Sequence, residues 1–455
     1  LCPVTLVAIW LLGRTAIPLN YLLKRDDLEY VINDAELDVV VTVQPMLDLF
    51  GEMPEGAKTL KLEDLNVKRL PPLRRAASRP DEHLAVILYT SGTSGRPKGV
   101  MLSSGNLRAN VEQCVEWADF DDRDVLLGVL PQFHSFGLTV LTILPLSVGC
   151  RVIYTAKFVP TRLLKLMEEH RPSAFIAIPS MYGALLASRS ATADHFSSFR
   201  YIVSGGEPLA HATFDGFRDA FGVTINEGYG LTETAPVTHW CRPQEHKLRS
   251  VGRPLPRVEQ KITGPNGENL AVGEEGEIRL RGPNIMLGYY KLEKETAAAF
   301  DDKGYFRTGD MGRIDEDGYL YITGRIKEML IIGGENVFPR EIEEVLNAHP
   351  SVHASAVIGV QDASRGEVAL AFVELEEGAT FDERALRAHC RERLAQYKVP
   401  REIRVLEKLP RNPTGKIMRR ELSSMTGADG ASPVAVEAVG EADMGAAAED
   451  PTSTA

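Results

Sequence analysis

Six short apolar runs constrain most of what this chain can fold into. They are LDVVVT (37–42), LAVILYT (84–90), DVLLGVL (124–130), CRVIYTA (150–156), SAFIAIP (173–179) and RYIVSGG (200–206). Valine and isoleucine enrich them, and they read as buried strands. Between them PTRLLKLMEEH (160–170) and AHATFDGFRDAF (210–221) carry helical patterns. Strand, helix, strand in repetition predicts an α/β fold, with parallel sheets covered by helices on both faces. In such sheets a ligand lies beyond the carboxyl ends of the strands. Tyr89-Thr90 and Gly205-Gly206 fall at those ends.

From about residue 257 the texture changes. VEQKI, GEIRLRG and GYLYITGR are short alternating runs separated by Asn266-Gly267 and Asp317-Gly318. That is hairpin chemistry, and it predicts a small, distorted, barrel-like β part. Residues 335–422 then hold two helical patterns, PREIEEVLNAH and DERALRAHCRERLA, around two strands, ASAVIGV and VALAFVEL: a small α+β unit. From Ser423 onward there is no Lys or Arg, and Ala, Gly, Glu and Asp dominate. Such a stretch buries too little apolar surface to fold, so a disordered acidic tail is expected over 423–455.

The net charge of −12 argues against non-specific nucleic-acid binding. Cys2, Cys114, Cys150, Cys241 and Cys390 are scattered, with no C-x-x-C pair. Neither a zinc site nor a disulfide framework is suggested, which fits a reducing cytoplasm. The apolar run Leu1–Leu12 contains Pro3 and is too short to span a bilayer. It reads as buried structure entered in mid-element, so the chain is expected to be N-terminally incomplete. No transmembrane segment is expected. Peripheral membrane contact and oligomeric state stay open.

The stretch YTSGTSGRPKG (89–99) ends a strand in hydroxyls and glycines. Thr90, Ser91, Gly92, Thr93, Ser94 and Gly95 offer hydroxyls and unhindered N–H groups to phosphate oxygens, and Lys98 adds charge. It is not a P-loop, because Pro97 precedes the lysine; nor is it a Gly-x-Gly-x-x-Gly turn. No Gly-x-Ser-x-Gly nucleophile elbow occurs either. Composition alone weighs a phosphate loop and a plain flexible loop equally.

The rest of the chain breaks the tie. PQFHSFG (131–137), SGGEPL (204–209), GYGLTET (228–234), YFRTGD (305–310), GRIKEMLIIGGENVFPREIE (324–343) and PTGK (413–416) follow in order. Together with the loop, this set resembles the adenylate-forming enzymes: acyl-CoA synthetases, luciferases and peptide-synthetase adenylation domains. The resemblance runs from about Ile17 to Leu422. It implies an adenylation domain over 1–326 and a mobile C-terminal domain over 327–422. It also implies a reaction: ATP and a carboxylic acid give an acyl adenylate and pyrophosphate, and a thiol then displaces AMP. Catalysis of that kind rests on positioning and on offsetting charge at the α-phosphate.

By resemblance, Lys416 reaches both the carboxylate and the α-phosphate, Thr232 contacts the α-phosphate, and Glu233 is the Mg²⁺ ligand. Tyr229 and Gly230, with Gly205, Gly206 and Glu207, take the adenine. Asp310 and Arg325 take the ribose. His134 gates or lines the carboxylate pocket. Lys327 is the hinge, and Gly333, Gly334 and Glu335 meet the pantetheine of coenzyme A. Residues 384–420 hold twelve Lys/Arg against three Glu, which could attract the phosphates of CoA. Ser104 stands where many relatives carry histidine.

Peptide-synthetase domains hold the substrate amine with an Asp in a segment that here reads Phe133-His134-Ser135. The missing carboxylate argues against an amino acid. Small residues in SFG and SGG leave room for an elongated chain. A medium- or long-chain fatty acid is expected first and an aryl acid second, with CoA as acceptor and an acyl carrier protein as the alternative thiol.

Overall fold

The computed structural model describes residues 2–51, 53, 57–65, 75–90, 96–155, 157–362, 365–411 and 415–426. The phosphate-loop residues Ser91–Gly95, the Pro413-Thr414 half of PTGK and the tail beyond Thr426 lie outside them.

The largest sheet has seven strands. In spatial order they are Arg253–Pro254, Val237–Trp240, Asn226–Gly230, Tyr201–Ser204, Ala174–Ala177, Val125–Gly128 and Arg151–Tyr154. The last five run parallel, and the first two are antiparallel additions. Four of the five are apolar runs read as strands; Asn226–Gly230 is one that the runs did not include. LDVVVT pairs parallel with Lys58–Lys61 in a separate two-stranded sheet. Strand Val125–Gly128 lies between Arg151–Tyr154 and Ala174–Ala177. The chain therefore reverses its direction of travel across the sheet there, the switch point where α/β ligands bind. PQFHSFG follows this strand after Val129 and Leu130.

The two faces are distinct. Phe175 meets Tyr182 of helix Pro179–Leu186 at 5.2 Å, whereas Ile176, the next residue, lines the cleft described below. Helices Pro160–His170 and His211–Phe221 bury Leu163, Leu164, Met167, Phe214, Phe217 and Phe221. The spacings are those of one apolar stripe per helix.

Three expectations need correction. LAVILYT is not in a parallel sheet: Leu84–Thr90 pairs antiparallel with Lys98–Ser103, which also pairs with Gly288–Tyr289. Tyr89-Thr90 thus sits at the connected end of a hairpin, with Thr90 opposite Lys98. A run bounded by a turn motif cannot reveal its partner's direction. Not every run is buried, either: Arg151–Tyr154 is an edge strand with Tyr154 44% exposed, and Val39 is also exposed. The opening apolar run forms helix Cys2–Leu11, of which only Leu6 is buried.

The hairpin region forms an open four-stranded antiparallel ladder of Glu259–Thr263, Gly276–Arg281, Phe306–Ile314 and Leu320–Arg325. Both predicted turns have glycine at positive φ, +84° at Gly267 and +82° at Gly318. Its core joins that of the large sheet in one cluster reaching from Leu6 to Leu320.

Beyond it, a small domain has its own five-stranded sheet. Val357, Ala369, Ala371 and Val373 pack on one face, with Ile342 and Leu346 of helix Pro339–Asn347 and Leu386 and Cys390 of helix Glu383–Arg393. Ala356, Ile358, Leu370 and Phe372 pack on the other, with Leu409 and Leu422. Alternation along strands Val352–Asp362 and Gly366–Leu375 feeds both cores. Ser423 and Ser424 end helix Arg419–Ser424, so the chain stays ordered past the expected start of the tail. Among the described residues no helix is long and apolar enough to cross a membrane.

Candidate active site

A cleft of about 2000 Å³ lies between the large body and the small domain. Most of the motifs meet in it. Its walls include Thr90, Lys98, His134, Gly205, Gly206, Glu207, Tyr229, Gly230, Thr232, Glu233, Asp310, Arg325, Lys327 and Lys416. No pair of these motifs is adjacent in sequence; the switch point and the docking of the small domain bring them together.

Asp310 is the most completely held group. It is 2% exposed, accepts from the Tyr229 hydroxyl at 2.6 Å and lies 2.8 Å from Arg325 Nε. The last contact follows from register, since Asp310 and Arg325 face each other on adjacent strands. Burial raises the carboxyl's pKa, while Arg325, the Tyr229 O–H and Lys416 oppose the rise. The Tyr229 ring lines the cleft while its hydroxyl is committed to Asp310.

Glu233 sits in the 3₁₀ turn Thr232–Thr234. Backbone contacts fix that turn: Met286 N donates to Glu233 O at 2.8 Å and Asn284 Nδ2 to Thr234 O at 2.8 Å. Tyr289 donates its hydroxyl to Glu233 Oε1 at 2.9 Å, and Lys98 Nζ stands 5.4 Å from the centre of the Tyr289 ring. Burial raises the Glu233 carboxyl as well. The Thr232 and Ser135 hydroxyls lie 3.3 Å apart. Among the described residues no cluster of three or more His, Cys, Asp or Glu could hold a metal by itself.

The glycines permit close approach. A Cβ on Gly230 would stand 1.9 Å from Pro236 O, and one on Gly205 would stand 3.1 Å from the Phe136 ring. His134 caps the helix Ser135–Leu138, its Nδ1 accepting from Phe136 N at 3.3 Å. It opens onto the cleft yet is ringed by the cleft walls. That enclosure lowers its pKa, and Lys416 lowers it further, favouring neutral imidazole.

Lys416 enters from the small domain. A bridge between Arg411 and Ile417 closes the loop that carries it. Helix Arg419–Ser424 follows, with Arg419 bonded to Glu343 at 2.8 and 2.9 Å. Gly415, at φ +93°, approaches the large body so closely that a Cβ would stand 3.0 Å from Ile178. Burial lowers the Lys416 pKa first and Arg325 next, while Glu328 and Glu207 raise it. Glu207 is raised by burial and drawn back by Arg411, Lys416 and Arg419.

Other candidates lie elsewhere. Gly333 and Gly334 form the two-residue turn of the hairpin Leu330–Ile332/Glu335–Val337, both at positive φ. With Glu335 they are exposed and outside the cleft. Ser104 opens helix Ser104–Ala118 and does not line the cleft. Several cations of the basic stretch 384–420 pair within the small domain: Lys398 with Glu341, Arg401 with Asp362, Arg404 with Glu402 and Arg419 with Glu343. Tyr289 and Arg419 escaped the sequence reading. Neither stands in a hydroxyl- or glycine-rich stretch, and only the fold brings them to the cleft.

These features define an adenylate-forming enzyme. Residues 2–290 match the family described as AMP-binding enzyme, and residues 341–416 match its companion, the AMP-binding enzyme C-terminal domain. The chain is 35% identical to a long-chain-fatty-acid–CoA ligase of Bacillus subtilis, over 92% of this chain and 83% of the relative. It is 34% identical to a feruloyl-CoA synthase of an Amycolatopsis species, over 92% and 85%. The structure of ATP-bound MatB from Rhodopseudomonas palustris matches with a TM-score of 0.87 at 35% identity, covering 93% of this chain and 86% of that one. That of the o-succinylbenzoate CoA synthetase of Bacillus subtilis with ATP and magnesium ion matches with 0.83 at 29%, over 93% and 86%. The chain belongs to the AMP-binding enzymes. It is an acid–thiol ligase that uses ATP to form an acyl or aryl adenylate and passes the acyl group to CoA.

Proposed function

We propose that the acid is a medium- or long-chain fatty acid. The observation that carries this is the apolar part of the cleft wall, which includes Ile176, Val203, Val140, Leu144, Cys114, Phe120 and Trp240. None of these can hold a second charge, and a wall this apolar takes its affinity from burial, about 25 cal/mol per Å² of apolar surface. An aryl acid is the second reading. It is favoured by the Phe120 and Trp240 rings in the cleft wall, 5.9 Å apart and inclined at 29°, against which a ring could stack.

In this reading Lys416 neutralises the meeting of carboxylate and α-phosphate, assisted by Thr232. Asp310 and Arg325 hold the ribose. Tyr229, Gly205, Gly206 and Glu207 bound the adenine, while Lys98, Thr90 and the loop 91–95 hold the outer phosphates. Glu233 suits Mg²⁺ because it is a lone carboxylate: nucleotide-bound magnesium takes one or two protein carboxylates and completes its shell with phosphate oxygens and water. There the ion would supply positive charge between the phosphates. Residues 327–422 turn about Lys327 after adenylation, bringing the Gly333-Gly334 turn and Glu335 toward the pantetheine arm.

The test is ATP–pyrophosphate exchange across fatty acids of increasing length, aryl acids and amino acids, followed by CoA and carrier-protein acceptors. Exchange that rises with chain length supports the reading. Exchange confined to aryl acids replaces it with the second.

A further inference from the structure

The small domain meets the large body partly through one face of helix Pro339–Asn347, and among the described residues Arg340 makes a directed contact there. Arg340 donates from Nη1 to the carbonyl of Ile322 at 2.8 Å and pairs through Nε with Glu344 Oε1 at 2.9 Å. Ile322 belongs to strand Leu320–Arg325, the edge of its four-stranded sheet. The edge therefore has carbonyls with no strand partner on that side, and Arg340 satisfies one of them. The other contacts at this face are weaker. Glu344 Oε2 lies 4.0 Å from His211 Nε2, beyond hydrogen-bonding range. Phe338 packs close to Gly324, where a Cβ would stand 2.4 Å from the ring. Beneath the contact, the carboxyl of Glu227 is pushed up to about 7 by burial, and Arg340 is the first group to oppose that rise.

The same strand carries Arg325, three residues beyond Ile322, whose charge depresses the Lys416 pKa more than any other charge does. Holding the helix to Ile322 thus fixes the small domain where Lys416 faces Arg325 and Asp310. Arg340 is not needed for the small domain's own core, whose share from this helix is Ile342 and Leu346.

From this we propose that Arg340 is a positioning residue for adenylation: by tying the small domain to the Ile322 carbonyl, it holds Lys416 in the cleft. The inference rests on the reading that Lys416 serves the adenylating step.

The experiment measures both half-reactions in Arg340→Ala and Arg340→Lys: pyrophosphate exchange from acid and ATP, and thioester formation from synthetic acyl adenylate and CoA. Losing one such hydrogen bond is expected to slow exchange about three- to ten-fold. Thioester formation should stay within about two-fold, and Arg340→Lys, which keeps a donor, should recover part of the loss. Unchanged exchange, or equal loss in both halves, overturns the proposal. Gly324→Ala disturbs the same contact from the other side and should give the same split if Arg340→Ala does not fold; equal loss there overturns the proposal too. Lys416→Ala run in parallel separates the two claims. If it keeps exchange, the reading of Lys416 fails. If it loses exchange while Arg340→Ala does not, only the role of Arg340 fails.

Discussion

Asp310 and Lys416 face one cleft, but the chain delivers them by different means. Asp310 is fixed within the large body: its partner Arg325 stands opposite on the next strand, and Tyr229 reaches it from the large sheet. All three elements share one hydrophobic core. Lys416 comes from a domain with separate cores and reaches the cleft by docking, through Gly415 against Ile178 and Arg340 against Ile322. One wall is therefore as stable as the fold, whereas the other is as stable as a small interface. Under the proposed reading, a site built this way can hold its nucleotide while the cation from the small domain is exchanged for something else.

The largest effect that sharpens this contrast is expected at Lys416. Lys416→Ala removes a small-domain ammonium that faces the Asp310 wall. Loss of a group that stabilises developing charge costs about a hundred- to a thousand-fold. Pyrophosphate exchange should fall by at least that much, while thioester formation from supplied acyl adenylate persists. Equal loss in both would place the lysine in a rigid site and erase the distinction between the walls.

Asp310→Ala attacks the fixed wall. A hydrogen bond to a charged group is worth roughly 1.5–3 kcal/mol, so the KM for ATP should rise about ten- to a hundred-fold. The mutant should also lose its preference for ATP over 2′-deoxy-ATP. Retained preference would remove Asp310 from the ribose.

Gly415→Ala tests the docked wall without touching a charge. Its φ of +93° disfavours a side chain, and Ile178 occupies the space a Cβ would need. The strain, about 1–2 kcal/mol, should slow exchange about five- to thirty-fold and leave ATP binding by the large body intact. A matching loss of ATP affinity would show that the two walls are not independent.

The smallest effect is in pH. Burial and Arg325 hold the Lys416 pKa below the ordinary lysine value. The ammonium, and with it adenylation, is present below that lowered pKa and lost as pH rises through it. The alkaline limb of kcat/KM for adenylation should therefore lie below about pH 10.4, the unperturbed lysine value. Lys416→Arg, if active, should move it upward, because guanidinium stays charged. An unmoved limb would assign the titration to another group.

What was legible in advance follows the range of each interaction. Four of the five parallel strands, the two hairpin turns and the small domain's helices are local patterns, and period and turn chemistry expressed them in the residues themselves. The fifth strand, Asn226–Gly230, is too polar and glycine-rich to read as one. The site motifs were legible for a related reason: a turn that brings backbone close to a ligand needs glycine, and a charged contact needs a fixed residue type. The partner of Leu84–Thr90 was not, since an apolar strand pairs in either direction. Nor were Tyr289, Arg419 and Arg340, which are ordinary residues until the fold sets them beside Glu233, Glu343 and Ile322. The sequence by itself determined an α/β body, a second small α+β unit and the residues that would surround a nucleotide. Only the tertiary structure decided which walls those residues share and what holds Lys416 in place, because register and docking depend on contacts between segments far apart in the chain.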